Sequence, residues 1–271
     1  MILIGEKING AIPVVAEAIK KRDSAFIKER AKAQAEAGAD FIDCCAATAV
    51  EEAEALKWLI ACIEDVTDLP ICLDSASAKV LTEVYSSCRR PGIFNSVSGE
   101  GDKIDRIFSV MALEENKDWG VVALLMDDGG IPKSAGDRLR VFEHILEKAR
   151  EYGIGPERIY IDPVVEMLCT SENGIAVNTE VISQIRKRCP KIHITAAVSN
   201  ISFHLPVRRL INCGFAVLAM NAGLDSLILD PTDKELLGLV YAAEALLGRD
   251  EFCLEYISAY RAGLISDYKK E

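Results

Sequence analysis

Several patterns that mark common enzyme classes are missing from these 271 residues. The nine cysteines form no C-x-x-C pair, so neither a zinc site nor a thioredoxin motif is indicated. The glycines spell neither G-x-G-x-x-G after a strand nor G-x-x-x-x-G-K-[ST], which argues against a dinucleotide fold and a P-loop. The three histidines, His144, His193 and His204, are far apart and do not make a convincing metal site.

Positive charge and long apolar runs are scarce as well. The chain has 31 Lys and Arg against 42 Asp and Glu, a net charge of -11, which argues against nucleic acid or an anionic membrane as the main partner. No apolar run reaches the roughly 18 residues that span a bilayer, and the opening MILIGEKING is typical of a strand, not of a signal peptide. Most cysteines lie in apolar runs, as buried reduced thiols do, so we expect a cytoplasmic protein.

Short apolar runs alternate regularly with longer amphipathic ones along the chain. The amphipathic runs have the spacing of helices, and one of them begins with a cap at Ser24 and stops at Gly38. The apolar runs are rich in Val, Ile, Leu and Phe, as strands buried on both faces are. The predicted strands are residues 2–7, 40–45, 70–74, 92–96, 120–126, 158–162, 192–198 and 224–229.

Eight strands with helical crossovers favour a closed α/β barrel over an open doubly wound sheet, which more often has five or six strands. The chain length also fits one (β/α)8 TIM barrel. We therefore predict a single domain over residues 1–271, with an extra C-terminal helix within 252–271 followed by a polar end. The loops 127–136 and 163–178 are expected at the active face, because long loops there are usually functional.

Seven of the predicted strands end on a carboxylate or a carboxamide. A parallel barrel gathers these strand ends on one face, where its chemistry is done. Ionised Asp only accepts hydrogen bonds, whereas Asn donates and accepts, so this face suits a heterocycle such as a pteridine or a purine. Mg²⁺ would prefer carboxylates that are closer together, so no metal is predicted. The polar residues are Glu6, Asn9, Asp43, Asp74, Asn95, Asp127, Asp128, Asp162 and Asn200.

A series of motifs with these polar residues runs through almost the whole chain. In order they are GEKING at 5–10, CLDS at 72–75, FNSV at 94–97, YIDP at 160–163 and VSNISFHLP at 198–206. The chain thereby resembles the methyltetrahydrofolate:corrinoid-protein methyltransferases of the pterin-binding family. The resemblance implies a TIM barrel, usually a homodimer, that moves a methyl group between N5 of tetrahydrofolate and the cobalt of a corrinoid, as a step of one-carbon metabolism.

The resemblance also assigns roles to individual residues. It implies that Asp74, Asn95 and Asp162 hydrogen-bond the edge of the pterin ring, and that Asn200 approaches N5. The neighbouring Ser199 and Ser202 belong to the same binding loop, and Glu6 and Asn9 support the floor of the site. Each of these residues also has an alternative, purely structural role, such as capping a helix, forming a turn or accepting from a backbone N–H.

The corrinoid itself is expected on another protein. The corrinoid-binding signature D-x-H-x-x-G does not occur in the chain. The resemblance then implies a separate corrinoid protein that docks transiently over the C-terminal face of the barrel, through a small and partly polar interface.

Some positions depart from the family pattern. Cys45 and Asp127 stand where the family often has Asn, and Ala197 stands where it usually has Gly. One hypothesis is that Asp127 lies near N5 and contributes to proton supply; the alternative is a solvated loop carboxylate. Lys133 and Arg208 also have two alternative roles. Each either contacts the carboxylates of the folate tail or lies on a solvated surface. Two other functions stay open at this point, a dihydropteroate synthase-like pterin enzyme and a non-catalytic folate-binding protein.

Overall fold

The computed structural model describes residues 1–266 and shows a barrel of eight parallel strands. The strands pair in the order β7-β6-β5-β4-β3-β2-β1-β8, and a bridge between Ala197 and Ile228 brings β8 back beside β7. The predicted TIM barrel is thus confirmed. The strands are β1 (Ile2–Asn9), β2 (Phe41–Cys45), β3 (Ile71–Asp74), β4 (Ile93–Gly99), β5 (Gly120–Asp127), β6 (Ile159–Asp162), β7 (His193–Ile194) and β8 (Ser226–Leu229).

Helices surround the barrel, and the predicted extra C-terminal helix is present as α10. The predicted polar end lies in residues 267–271, outside the described residues. No helix within residues 1–266 combines the length and the apolar character needed to cross a membrane. The helices are α1 (Pro13–Lys21), α2 (Ser24–Glu36), α3 (Glu52–Glu64), α4 (Ala78–Val84), α5 (Lys103–Met111), α6 (Ala135–Glu151), α7 (Ala176–Arg188), α8 (Arg208–Ala222), α9 (Lys234–Leu246) and α10 (Leu254–Arg261).

The strands divide the core into two parts because successive side chains point to opposite faces. Side chains such as Leu73 and Val121 face outward and pack against the helices. A small inner cluster fills the barrel, and its members set which later residues on each strand point inward. That inner cluster consists of Ile4, Cys72, Ile93, Val122, Tyr160 and Ile228.

Several boundaries differ from the sequence prediction, and two of the differences have a clear local cause. The sequence predicts strand β7 over 192–198, but the regular strand covers only His193–Ile194. The reason is that the Thr195 N–H donates to Ile161 O, and the next ladder donor would be Pro163, which has no N–H. The cap of α2 is Asp23 and not Ser24, because an Asp23 side-chain oxygen accepts from the Phe26 N–H at 3.1 Å.

Candidate active site

The inward alternation of the strands carries polar side chains to the C-terminal mouth of the barrel. Asp74 lies two residues beyond the inner Cys72, Asn95 two beyond Ile93, and Asp162 two beyond Tyr160. Strand register places Asp74 beside Asn95 and Asp162 beside Leu124. The structure therefore brings the predicted pterin-edge residues onto one inner rim.

Asp43 lies beneath this rim on the neighbouring strand and is only 2% exposed. The Asn95 Nδ2 donates to Asp43 Oδ1 at 3.4 Å. Burial, followed by the nearby Asp74 charge, raises the pKa of Asp43 well above its ordinary range. Burial also raises the pKa of Asp74 to about 6, although the neighbouring Cys45 thiol opposes the shift. Sequence reasoning noted Asp43 as a strand-end residue but gave it no role.

Asp162 is held by the loop that follows it. Its Oδ1 accepts from the Val164 N–H at 2.7 Å, and Val164 has a left-handed backbone with φ 61. Burial raises the pKa of Asp162 to about 6, against the Val164 hydrogen bond and the charge of Arg138. A carboxylate in this position is costly to ionise unless a ligand supplies further donors.

Arg138 of α6 fixes this loop from behind and was missed by sequence reasoning. Its guanidinium is 2% exposed and donates to the carbonyls of Pro132, Pro163 and Val164. It also pairs with Glu166 at 2.9 Å. An arginine in an amphipathic helix is usually a surface residue, so the sequence offered no signal for this role.

Glu6 closes the rim between β1 and the segment after β7. The Ser199 hydroxyl donates to Glu6 Oε2 at 3.0 Å. Burial raises the pKa of Glu6, and the Ser199 hydrogen bond and the charge of Lys7 oppose that shift. The Lys7 ammonium lies 3.1 Å from Asp230, the first residue after β8. Glu6 is thus tied to the segment after β7 through Ser199.

Asn200 lies in a tight 3-10 turn, Val198–Ser202, at the edge of the mouth. Its backbone N–H donates to Ala197 O, but its side-chain amide makes no hydrogen bond to any residue within 1–266. A half-buried amide without a protein partner is available to a ligand. This is the one amide of the predicted set that the fold leaves unoccupied among the described residues.

Arg208 holds the turn that carries Asn200. It donates to Ser202 Oγ at 3.0 Å and to Ser199 O at 2.8 Å, and its guanidinium stacks over Phe203 at 4.7 Å. Ser202 is fully buried and also donates to Ser199 O at 3.3 Å. Ser202 therefore lies inside the turn, where it shapes the loop, and Arg208 is directed back onto the protein.

Two predicted site residues form local turns. Asn9 Oδ1 accepts from the Ala11 N–H at 2.8 Å, next to Cys45 in the register of β1 and β2. Asp127 follows the outward-facing Leu125 by two residues, and its Oδ1 accepts from the Gly129 N–H at 2.8 Å.

The alternation of β5 places Asp127 outside the barrel. The residue lines a surface cavity of about 460 Å³ together with Arg140 and His144 of α6. The structure does not bring Asp127 together with Asp74, Asn95 and Asp162. This geometry favours the alternative of a loop carboxylate.

The rim is rich in acceptors and poor in cations. Within residues 1–266, no three His, Cys, Asp or Glu side chains are grouped so that they could hold a metal ion. Carboxylates with raised pKa values suit a neutral ligand that offers several N–H donors. Asn200, in the turn that follows β7 at the same end of the barrel, has an amide that offers one further donor group and one acceptor.

Comparison with known proteins agrees with this geometry. A relative called methylcorrinoid:tetrahydrofolate methyltransferase, from Eubacterium limosum, is 44% identical over 266 residues, which are 98% of both chains. Methionine synthase of Mycobacterium leprae is 29% identical over 241 residues, which are 84% of this chain and 20% of that protein.

Solved structures of dihydropteroate synthases share the fold. The enzyme from Xanthomonas albilineans with 4-aminobenzoic acid has a TM-score of 0.67 at 18% identity and covers 92% of each chain. The Yersinia pestis enzyme has a TM-score of 0.65, with 91% and 93% coverage. The family model described as pterin binding enzyme matches residues 14–230. A match over most of the chain, together with a rim of inward acceptors at the mouth, shows that the chain belongs to the pterin binding enzyme family.

Proposed function

We propose that the protein transfers a methyl group from a methylated corrinoid protein to N5 of tetrahydrofolate. One observation carries the proposal: an acceptor-rich rim and an amide that has no hydrogen-bond partner among the described residues lie at the same end of the barrel. The name of the relative that is 44% identical over nearly the full length supports the substrates and the direction. The same residues would serve the reverse reaction, since binding groups act on both sides of one transition state.

The rim holds the pterin ring by its donor edge. The 2-amino group and the ring N–H groups of a reduced pterin donate to the carboxylates of Asp74 and Asp162 and to the carbonyl oxygen of Asn95. Charged acceptors make hydrogen bonds about twice as strong as neutral ones. Glu6 and Asn9 support the floor of the site, and Ser199 and Ser202 belong to the binding loop beside it.

Asn200 acts at the reacting nitrogen. Methyl transfer is an in-line displacement in which N5 attacks the methyl carbon, the carbon–cobalt bond breaks, its electron pair stays on cobalt as Co(I), and N5 loses a proton. A neutral amide that tightens its hydrogen bond to N5 as charge changes in the transition state lowers the barrier. In this direction positive charge builds on N5, so the amide carbonyl oxygen accepts from N5–H, and a single hydrogen bond of this kind is typically worth ~3 kcal/mol.

The second substrate is carried by a partner. The chain lacks the D-x-H-x-x-G corrinoid signature, so we propose that a corrinoid protein docks transiently over the mouth. The family resemblance further suggests a homodimer, and exposed Leu254, Ile257 and Tyr260 of α10 offer apolar surface that a second copy would bury. Nine unpaired cysteines support a location in the reducing cytoplasm.

The activity is tested by spectroscopy under anaerobic conditions. The purified protein is mixed with 5-methyltetrahydrofolate and cob(I)alamin, and the loss of Co(I) absorbance and rise of methyl-Co(III) absorbance are followed. We expect conversion that needs the protein and slows strongly in an Asn200→Ala variant. Tight tetrahydrofolate binding without turnover, either here or with methylated corrinoid proteins in the forward direction, would instead identify a non-catalytic folate-binding protein.

A further inference from the structure

Among residues 1–266, Asp43 is the one buried carboxyl group near the mouth that has no role in the proposed mechanism. It is 2% exposed and lies on the inner face of β2, two residues beyond Phe41. No Lys, Arg or His within residues 1–266 forms a salt bridge with it. Burying a carboxyl without a cation is costly, so its retention in the barrel calls for a specific contact.

The contact that Asp43 makes is with a predicted ligand-binding residue. Asp43 pairs in register with Cys72 of β3, whose neighbour Ile93 lies on β4, so the Asp43 side chain reaches across β3 to Asn95. There its Oδ1 accepts from Asn95 Nδ2 at 3.4 Å. Asn95 is half-buried and lies between the buried Asp43 and the open mouth.

The direction of this hydrogen bond determines which end of the Asn95 amide faces the ligand. A carboxyl oxygen beneath the amide attracts the NH₂ group, so the carbonyl oxygen on the other branch of Cγ is turned to the opening. The Asn95 Oδ1 accepts no hydrogen bond from residues 1–266, which leaves it to an external donor. Without Asp43, the amide could rotate by half a turn and present a donor instead.

We propose that Asp43 is a positioning residue that fixes the Asn95 carbonyl oxygen as an acceptor for the donor edge of the substrate. The inference rests on the proposed function, because it takes the substrate to be a reduced pterin. Asn95 holds a ring edge remote from the reacting nitrogen, so Asp43 acts on substrate binding and not on the chemical step. It thereby favours ligands that carry N–H groups at this edge.

The test is a double-mutant cycle on tetrahydrofolate affinity. The dissociation constant is measured by titration for the wild type, Asp43→Ala, Asn95→Ala and the double variant, and thermal unfolding of each checks the fold. We expect at least a ten-fold loss of affinity in Asp43→Ala and in Asn95→Ala, with no further loss in the double variant. At saturating folate, kcat of Asp43→Ala stays within two-fold of the wild type.

A conservative variant separates positioning from a general structural role. The amide of Asp43→Asn can still offer an oxygen to Asn95, so its affinity should return to within three-fold of the wild type. If Asp43→Ala does not fold, Asp43→Leu, which has nearly the same volume, takes its place in the cycle. Additive losses in the double variant, or an unchanged affinity in the Asp43 variants, overturn the inference. A wild type that binds no tetrahydrofolate contradicts the proposed function itself.

Discussion

The two ends of the barrel treat the carboxylates at the strand ends in opposite ways. At the N-terminal end, Asp225 is ion-paired with Arg186 at 2.9 Å, lies 3.1 Å from His193 Nδ1, and accepts from the Ile194 N–H at 2.7 Å. Burial alone would raise the pKa of Asp225, but these partners lower it. At the C-terminal end, Asp74 and Asp162 keep raised pKa values of about 6.

The contrast separates groups that stabilise the fold from groups that serve a ligand. Asp225 finds all its partners within the protein, and the ring of His193 stacks on Tyr160 with centroids 4.6 Å apart. Its contribution to the free energy of unfolding is present at neutral pH and is lost as the pH falls. Asp74 and Asp162 destabilise the free protein when they ionise, and only a ligand with N–H donors offsets that cost.

The largest effect is expected at the mouth, for Asn200→Ala. Removing one hydrogen bond made in the transition state should lower kcat by roughly 10²–10³-fold. The dissociation constant of tetrahydrofolate should change by less than about five-fold, because the ring edge is held elsewhere. Single-turnover rates and folate titrations measure the two quantities. A rate within three-fold of the wild type would remove Asn200 from the chemistry.

At the opposite end, Asp225→Asn should affect stability and leave folate binding unchanged. Loss of the charge beside Arg186 and His193 should lower the free energy of unfolding by about 2–3 kcal/mol at pH 7. The difference should be smaller at pH 3, because it fades as the pH falls below the ordinary pKa of 3.8 toward the lowered pKa of the folded protein. Denaturant unfolding at both pH values measures it. Weaker folate binding with unchanged stability would reverse the assignment of the two ends.

Asp162→Asn should raise the stability of the free protein and weaken folate binding, the reverse of what Asp225→Asn does. The folded-state pKa of about 6 lies above the ordinary value of 3.8, so ionisation costs stability progressively between these values and fully above pH 6. The free energy of unfolding of the variant should therefore exceed that of the wild type by about 1–2 kcal/mol at pH 8. The variant should bind tetrahydrofolate at least ten-fold more weakly. A destabilised variant at pH 8 would contradict the claim that the fold supplies this carboxylate with too few hydrogen-bond donors.

The eight strands and their polar ends could be predicted because buried strands and alternating periods are visible in the chain. Which face a strand-end residue occupies was harder, since it depends on where each strand's alternation begins. Asp74 and Asp162 fall on the inner face, whereas Asp127 falls on the outer face of β5. The partnership of Asp43 with Asn95 spans 52 residues and three strands, and nothing local in the sequence signals it.

The smallest effect is expected for Asp127→Asn. The carboxylate lies on the outer face and bonds the Gly129 N–H, which an Asn oxygen can also do. We expect less than a two-fold change in kcat and an unchanged pH profile. A strongly reduced rate, or a profile that loses one ionisation, would restore the hypothesis that Asp127 supplies protons to N5.

The number of protons released when tetrahydrofolate binds tests most directly whether Asp74 and Asp162 hold the substrate. Titration calorimetry at pH 6, in buffers of different ionisation enthalpy, counts them. Asp74 and Asp162 are each about half protonated at that pH and must ionise to accept from the ring, so roughly one proton should leave per folate bound, falling to near zero at pH 8. Binding that releases no proton at pH 6, or takes one up, would contradict the claim that these two carboxylates hold the substrate.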